Sequence, residues 1–137
     1  VKVEKTLTIP AKAFYDQVIN SVIFDIRKAT GKTISAKQLE GFEYVKEFSS
    51  SSRAKISIGE VVENQVYQFR TETTKNEFVV RYEIQEIDAK TSKIIYTETM
   101  KSFGIMQQLN DMVLGTILGY FKRKQFKKML VMMEEAY

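Results

Sequence analysis

The chain has 137 residues, 44% of them hydrophobic and 28% charged, enough length to bury roughly two-thirds of its unfolded surface without a disulfide or metal staple. It contains no cysteine and no histidine, which excludes thiolate chemistry, Ser-His-Asp and Cys-His machinery, zincin helices and the usual proton shuttle near neutral pH. The net charge of +4 is too small to imply nucleic acid without a clustered patch.

The first residues lack the basic-then-apolar layout of a signal peptide, and no apolar run reaches the ~18 residues of a membrane span. With a cysteine-free composition that fits a reducing compartment, the expectation is a cytoplasmic protein, its non-Met start reflecting processing or trimming. Val1, Val3, Leu7 and Ile9 alternate with Lys2, Glu4, Thr6 and Thr8, the pattern of a half-buried strand. Pro10 suits the first position of a helix, where a missing N–H costs nothing. Ala11, Phe14, Tyr15, Val18, Ile19, Val22, Ile23 and Ile26 then recur at helical spacing until Gly31 offers a stop. Ser35 with Gln38 forms a capping-box pattern, which predicts one helical turn over Ala36–Glu40 before Gly41.

From there the period changes to two. Strands are predicted at Phe42–Phe48, Arg53–Val62, Gln65–Thr73, Glu77–Ile87 and Lys93–Phe103. The connections between them are short and polar, which implies a meander of adjacent antiparallel strands. The run Ser49–Ser52 reads as a hairpin turn, and no internal repeat or domain boundary interrupts residues 1–137, which are expected to form one domain.

The segment from about Ser102 to Tyr137 reads as helix. On a helical wheel Phe126, Met129, Leu130, Met133 and Tyr137 share one narrow stripe, whereas Met106, Leu109, Met112, Val113, Ile117 and Tyr120 lie on the other side. One straight helix cannot bury both stripes against one sheet. The wheel therefore predicts a break near Gly115–Gly119, a separate first helix, or a partner subunit covering Leu114, Ile117, Leu118 and Phe121.

An order of strand, helix, short helical turn, antiparallel meander and long final helix resembles the helix-grip architecture of START-like and pollen-allergen-like domains. The resemblance implies an α+β fold: a curved antiparallel sheet of six or seven strands around a long C-terminal helix. The stretches SVIFDIRKATG (Ser21–Gly31), QLEGFEY (Gln38–Tyr44) and SFGIMQQLND (Ser102–Asp111) are similar to a family of small Gram-positive bacterial proteins that is a domain of unknown function. That family supplies no activity to carry over. The superfamily resemblance implies a cavity between sheet and final helix that often holds an apolar ligand.

Strand alternation places Tyr67, Phe69, Phe78, Val80, Tyr82, Ile84, Ile94, Tyr96 and Met100 on the concave face. Such density either lines an apolar pocket, with phenolic hydroxyls to orient a ligand, or simply fills the space. The candidate lining is Tyr67, Phe69, Tyr82, Tyr96, Glu98 and Met100 from the strands, with Leu109 and Val113 from the final helix. Parity also turns Glu98 and Lys5 inward. If the first and last strands are antiparallel neighbours, Lys5 stands opposite Glu98 or one pleat away, either as a structural pair or as a ligand-anchoring or catalytic carboxylate. Glu60 is a second inward carboxylate unless the strand bulges at Gly59.

Lys122, Arg123, Lys124, Lys127 and Lys128 form a basic cluster that fits a solvated helix face or a phosphate-binding patch. No glycine-rich phosphate loop, metal-ligand spacing or nucleophile–base offset is present, so no catalytic residue, metal or cofactor is assigned. The leading expectation is a non-catalytic binding domain for a small apolar or amphipathic ligand, with no nucleic-acid partner and no membrane span. The alternatives are a protein-interaction or regulatory module acting as a homodimer, and an enzyme using Glu98 with tyrosines.

Overall fold

The computed structural model describes residues 1–50, 52–103 and 123–137. In chain order the elements are β1 (Lys2–Leu7), α1 (Ala11–Thr30), a 3-10 turn (Ala36–Gln38), β2 (Glu43–Ser49), β3 (Ser52–Val62), β4 (Val66–Glu72), β5 (Asn76–Asp88) and β6 (Thr91–Ser102). Residues 123–135 are again helical and are called α2. Among the described residues six strands form one antiparallel sheet in the order β1-β6-β5-β4-β3-β2. The predicted meander holds, with the first strand completing the sheet beside the last.

Pro10 caps α1 from just outside, with extended backbone, and its carbonyl accepts the first helical hydrogen bond from the Phe14 N–H at 3.1 Å. It therefore stands one residue earlier than the spacing suggested. At the other end Gly31 adopts φ 77° and donates its N–H to the Arg27 carbonyl at 2.8 Å, a conformation that would strain any residue with a Cβ. The face of α1 predicted to be apolar is the buried one: Phe14 and Ile26 have no exposed surface, and Val22 and Ile23 pack at its margin. After it, the Ser35 N–H and hydroxyl both donate to Gln38 Oε1 at 3.1 Å, closing the expected turn.

Register places the aromatic residues. Tyr67 pairs with Tyr82 and Phe69 with Val80 across β4 and β5. Phe78, Val80, Tyr82 and Ile84 meet Met100, Glu98, Tyr96 and Ile94 across β5 and β6. Directly opposed residues share a face, so all of these lie on one side of the sheet. Between Ile58 and Val61 the β3 register slips, leaving Gly59 and Glu60 opposite Gln68 alone. This bulge turns Glu60 to the outer face, where it accepts from Arg81 at 2.8 Å. Arg81 also bonds Gln68 and Glu83, and with Arg70–Glu77 and Lys55–Glu43 the outer face carries a lattice of half-exposed ion pairs.

The β1–β6 register corrects one expectation. Lys5 stands opposite Ile94, two pleats from Glu98; Val3 meets Tyr96 and Leu7 meets Ser92. Glu98 is instead met by Val1: the terminal ammonium donates to the Glu98 carbonyl and the Glu98 N–H to the Val1 carbonyl, both at 2.8 Å. The observed register buries Val3, Leu7 and the following Ile9 together. Any shift by an even number of residues keeps the same side chains inward, so parity alone does not select among such registers.

In α2, Phe126 and Leu130 are buried and Met133 is partly so, but Met129 is 38% and Tyr137 68% exposed. The inward stripe is thus narrower than the wheel suggested, because Tyr137 lies past the end of the helix and Met129 sits at its rim. The Thr8 N–H donates to Glu134 Oε2 at 2.7 Å and the Gln17 amide to the Met133 carbonyl at 3.3 Å, tying the end of α2 to the β1–α1 junction. Arg123, Lys124, Lys127 and Lys128 are all exposed. Leu109, Val113, Leu114, Ile117, Leu118, Phe121, Lys122 and the expected break at Gly115–Gly119 lie outside the described residues.

Candidate functional site

Tyr82 is the hub of the concave face. Its ring lies 6.2 Å from Phe14 of α1, 6.2 Å from Tyr67 of β4, 5.3 Å from Tyr96 of β6 and 5.9 Å from Phe126 of α2. The contacts are tilted or edge-on, except that Phe126 stacks on Tyr96 at 3.8 Å with 24° between the planes. Such pairs contribute beyond the area they bury, by about 0.5–1.5 kcal/mol each. Two strands and two helices are therefore joined to β5 through one ring cluster.

On either side of Tyr82 the packing leaves a hollow. One, of about 460 Å³, lies between α1 and strands β2–β5; Val18 and Val22 wall it, and Ile56, Tyr67, Phe69 and Tyr82 form its floor. The other, of about 530 Å³, lies between α2 and strands β5–β6, bounded by Tyr82, Tyr96, Glu98, Phe126, Met129 and Met132, with Gln125 and Lys128 at its edge. Both volumes fall within the roughly 300–1,000 Å³ usual for small-molecule sites.

Burial sets the chemistry of the phenols. Loss of water around Tyr82, with the Glu98 charge nearby, pushes its hydroxyl up to about 12. Burial likewise raises Tyr67, and it raises Tyr96, where the neighbouring Glu98 carboxylate adds to the effect. These phenols keep their protons near neutral pH and act as uncharged hydrogen-bond donors, not as bases.

The predicted lining residues divide between the two spaces. Tyr67, Phe69 and Tyr82 line the first hollow, and Tyr82, Tyr96 and Glu98 the second. Among the described residues the Tyr82 cluster stands between these two spaces, and Leu109 and Val113, the helix residues expected to complete the lining, lie outside the described residues. Met100 lines neither; it lies opposite Phe78 and is 36% exposed.

Sequence reasoning missed the rim of the first hollow. Asp25 of α1 accepts a 2.7 Å hydrogen bond from the Tyr44 hydroxyl on one oxygen and one of 2.7 Å from Lys46 on the other. Burial, then the bond to Asp25, raises the Tyr44 hydroxyl well above its ordinary range. The Lys46 ammonium also lies 5.4 Å from the centroid of the Phe48 ring. Two signals were legible: Asp25 falls on the Val18–Val22 side of α1 at helical spacing, and Lys46 shares strand parity with Tyr44 and Phe48. A charged residue on each of two facing apolar surfaces implies a pair.

Among the described residues no group of three or more Asp, Glu, His or Cys side chains is placed to hold a metal ion. No described helix is long and apolar enough to cross a membrane.

The family described as "Domain of unknown function (DUF3284)" matches residues 1–119. No curated protein matches the chain. Among solved structures it is similar to protein MLL2253 from Mesorhizobium loti, at 13% identity and TM-score 0.64 over 99% of this chain and 96% of that one. It is also similar to a START superfamily protein from Mycobacterium smegmatis, at 8% identity and TM-score 0.57 over 100% of this chain and 98% of that one. A third likeness is to DynU16, from the dynemicin biosynthetic locus, at 12% identity and TM-score 0.51. That match covers 72% of this chain but 36% of DynU16, so the chain spans about a third of that protein's length. At these identities the likeness is one of fold, and the fold is the START-like helix grip.

Proposed function

We propose that this chain, which belongs to the DUF3284 family of domains of unknown function, is a non-catalytic binding domain that holds a small apolar or amphipathic ligand against its aromatic concave face. In this reading residues 1–137 act as one domain, in the cytoplasm. The observation that carries the reading is the pair of hollows flanking Tyr82, each floored by aromatic rings whose hydroxyls remain protonated. Apolar rings supply area, and a few uncharged donors supply orientation, the usual division of labour in a ligand pocket. The helix-grip fold often binds hydrophobic ligands, in keeping with this use.

Native mass spectrometry of the protein purified without added ligand tests the reading. The expected spectrum shows a monomer carrying extra mass that is lost on denaturation, or a bare monomer that takes up 2-naphthylmethanol saturably. A bare dimer that takes up nothing would support the interaction-module alternative instead. Turnover abolished by Glu98→Gln would support the enzymatic one.

A further inference from the structure

Of the described residues lining the α1-side hollow, two carry charge, Asp25 and Lys46, and they are of opposite sign and bonded to each other at 2.7 Å. Everything below them is apolar or neutral: the Val18 and Val22 side chains, Ile56, Phe69, the phenols of Tyr67 and Tyr82, and the hydroxyls of Ser21 and Thr71. We infer that this hollow takes an uncharged amphipathic ligand, its apolar body on the Tyr67–Phe69–Tyr82 floor and a hydroxyl-bearing head received jointly by Asp25 and Lys46. The inference rests on the binding reading above and names the ligand class for one of its two hollows.

The pair is built to stay in place. Asp25 uses one oxygen for Tyr44 and the other for Lys46, and both charged side chains are about two-thirds withdrawn from water, at 27% and 34% exposure. Each carboxylate oxygen still has a free lone-pair direction, and the ammonium has N–H groups beyond the one that Asp25 takes. A hydroxyl can donate to the first and accept from the second without changing the charge of the site. A ligand carboxylate would gain Lys46 but meet Asp25 at the same distance; a ligand ammonium would gain Asp25 but meet Lys46. In a partly dehydrated rim either charge also loses its own water. The sum of charges at the mouth is zero, and the ligand that leaves it at zero is the one that fits.

Three probes with one ring system separate these cases: 2-naphthylmethanol, 2-naphthoate and 2-naphthylmethylammonium, titrated at neutral pH and followed by naphthalene fluorescence. The natural protein is expected to bind the alcohol at least about tenfold more tightly than either ion. Asp25→Asn, which leaves Lys46 unopposed, should move the preference to the carboxylate. Lys46→Met should move it to the ammonium. The double substitution Asp25→Asn with Lys46→Met restores neutrality and should restore preference for the alcohol, which separates a charge effect from damage to the fold. Equal binding of all three probes, or an order that no variant changes, would overturn the inference while leaving the binding reading intact. Failure of the natural protein to bind any of the three would overturn both.

Discussion

Phe126 of α2 lies flat on Tyr96 of β6, with ring centroids 3.8 Å apart, and the same ring touches Tyr82. This stack is the main aromatic fastening between the C-terminal helix and the sheet among the described residues. Phe126 is 7% exposed, so Phe126→Ala removes a buried ring and leaves a void beside the hub. The expected loss is about 3–5 kcal/mol, read as a lowered denaturant midpoint. Tyr96→Phe keeps the stack and should cost far less; equal losses would show that the hydroxyl, not the ring, matters.

A second fastening lies between β6 and the entry to α1. The Ser92 hydroxyl, fully buried, donates to the Ile9 carbonyl at 2.9 Å. Ser92→Ala would leave that carbonyl without this donor in a dry site, at a cost of about 1–3 kcal/mol. Urea unfolding monitored by circular dichroism measures it. A change within error would mean that water replaces the hydroxyl.

Alkaline pH should weaken the fold through its buried phenols. The Tyr82 hydroxyl is raised from its model-compound value of 10.0 to about 12 by burial. A raised phenol binds its proton more tightly folded than unfolded, so its stabilising contribution is complete below pH 10 and is lost as pH rises through about 12. Denaturant midpoints should therefore fall across that window, and Tyr82→Phe, with no proton to lose, should fall less steeply. Identical slopes for the two proteins would contradict the buried, protonated phenol. Tyr67 and Tyr96, raised in the same direction, keep part of the slope in the variant.

Much of this architecture was legible from periodicity. The strand alternation that set Tyr67, Tyr82 and Tyr96 on one face is a local property, and so is the helical face of Phe14, Val18 and Ile26. What periodicity could not supply was register: Lys5 keeps the predicted face but stands opposite Ile94, because even shifts look alike in sequence. Nor could it show that Tyr82 would stand between two hollows lined by described residues, which depends on how Phe14 and Phe126 arrive from two separate helices. For the Asp25–Lys46 pair the two separate signals were legible but not their match, for a related reason. Each residue breaks an apolar pattern on its own element, and only the approach of α1 to β2 brings them together.

Whether the concave face holds a small ligand at a defined place can be read by nuclear magnetic resonance during titration with 2-naphthylmethanol. Saturable shifts are expected at the methyl groups of Val18, Val22 and Ile56 and at the rings of Tyr67 and Phe69, which line the α1-side hollow. Nuclear Overhauser contacts should run from the naphthalene ring to the same groups. Shifts that do not saturate, or that map to the outer face around Arg81 and Glu60 instead, would contradict such binding.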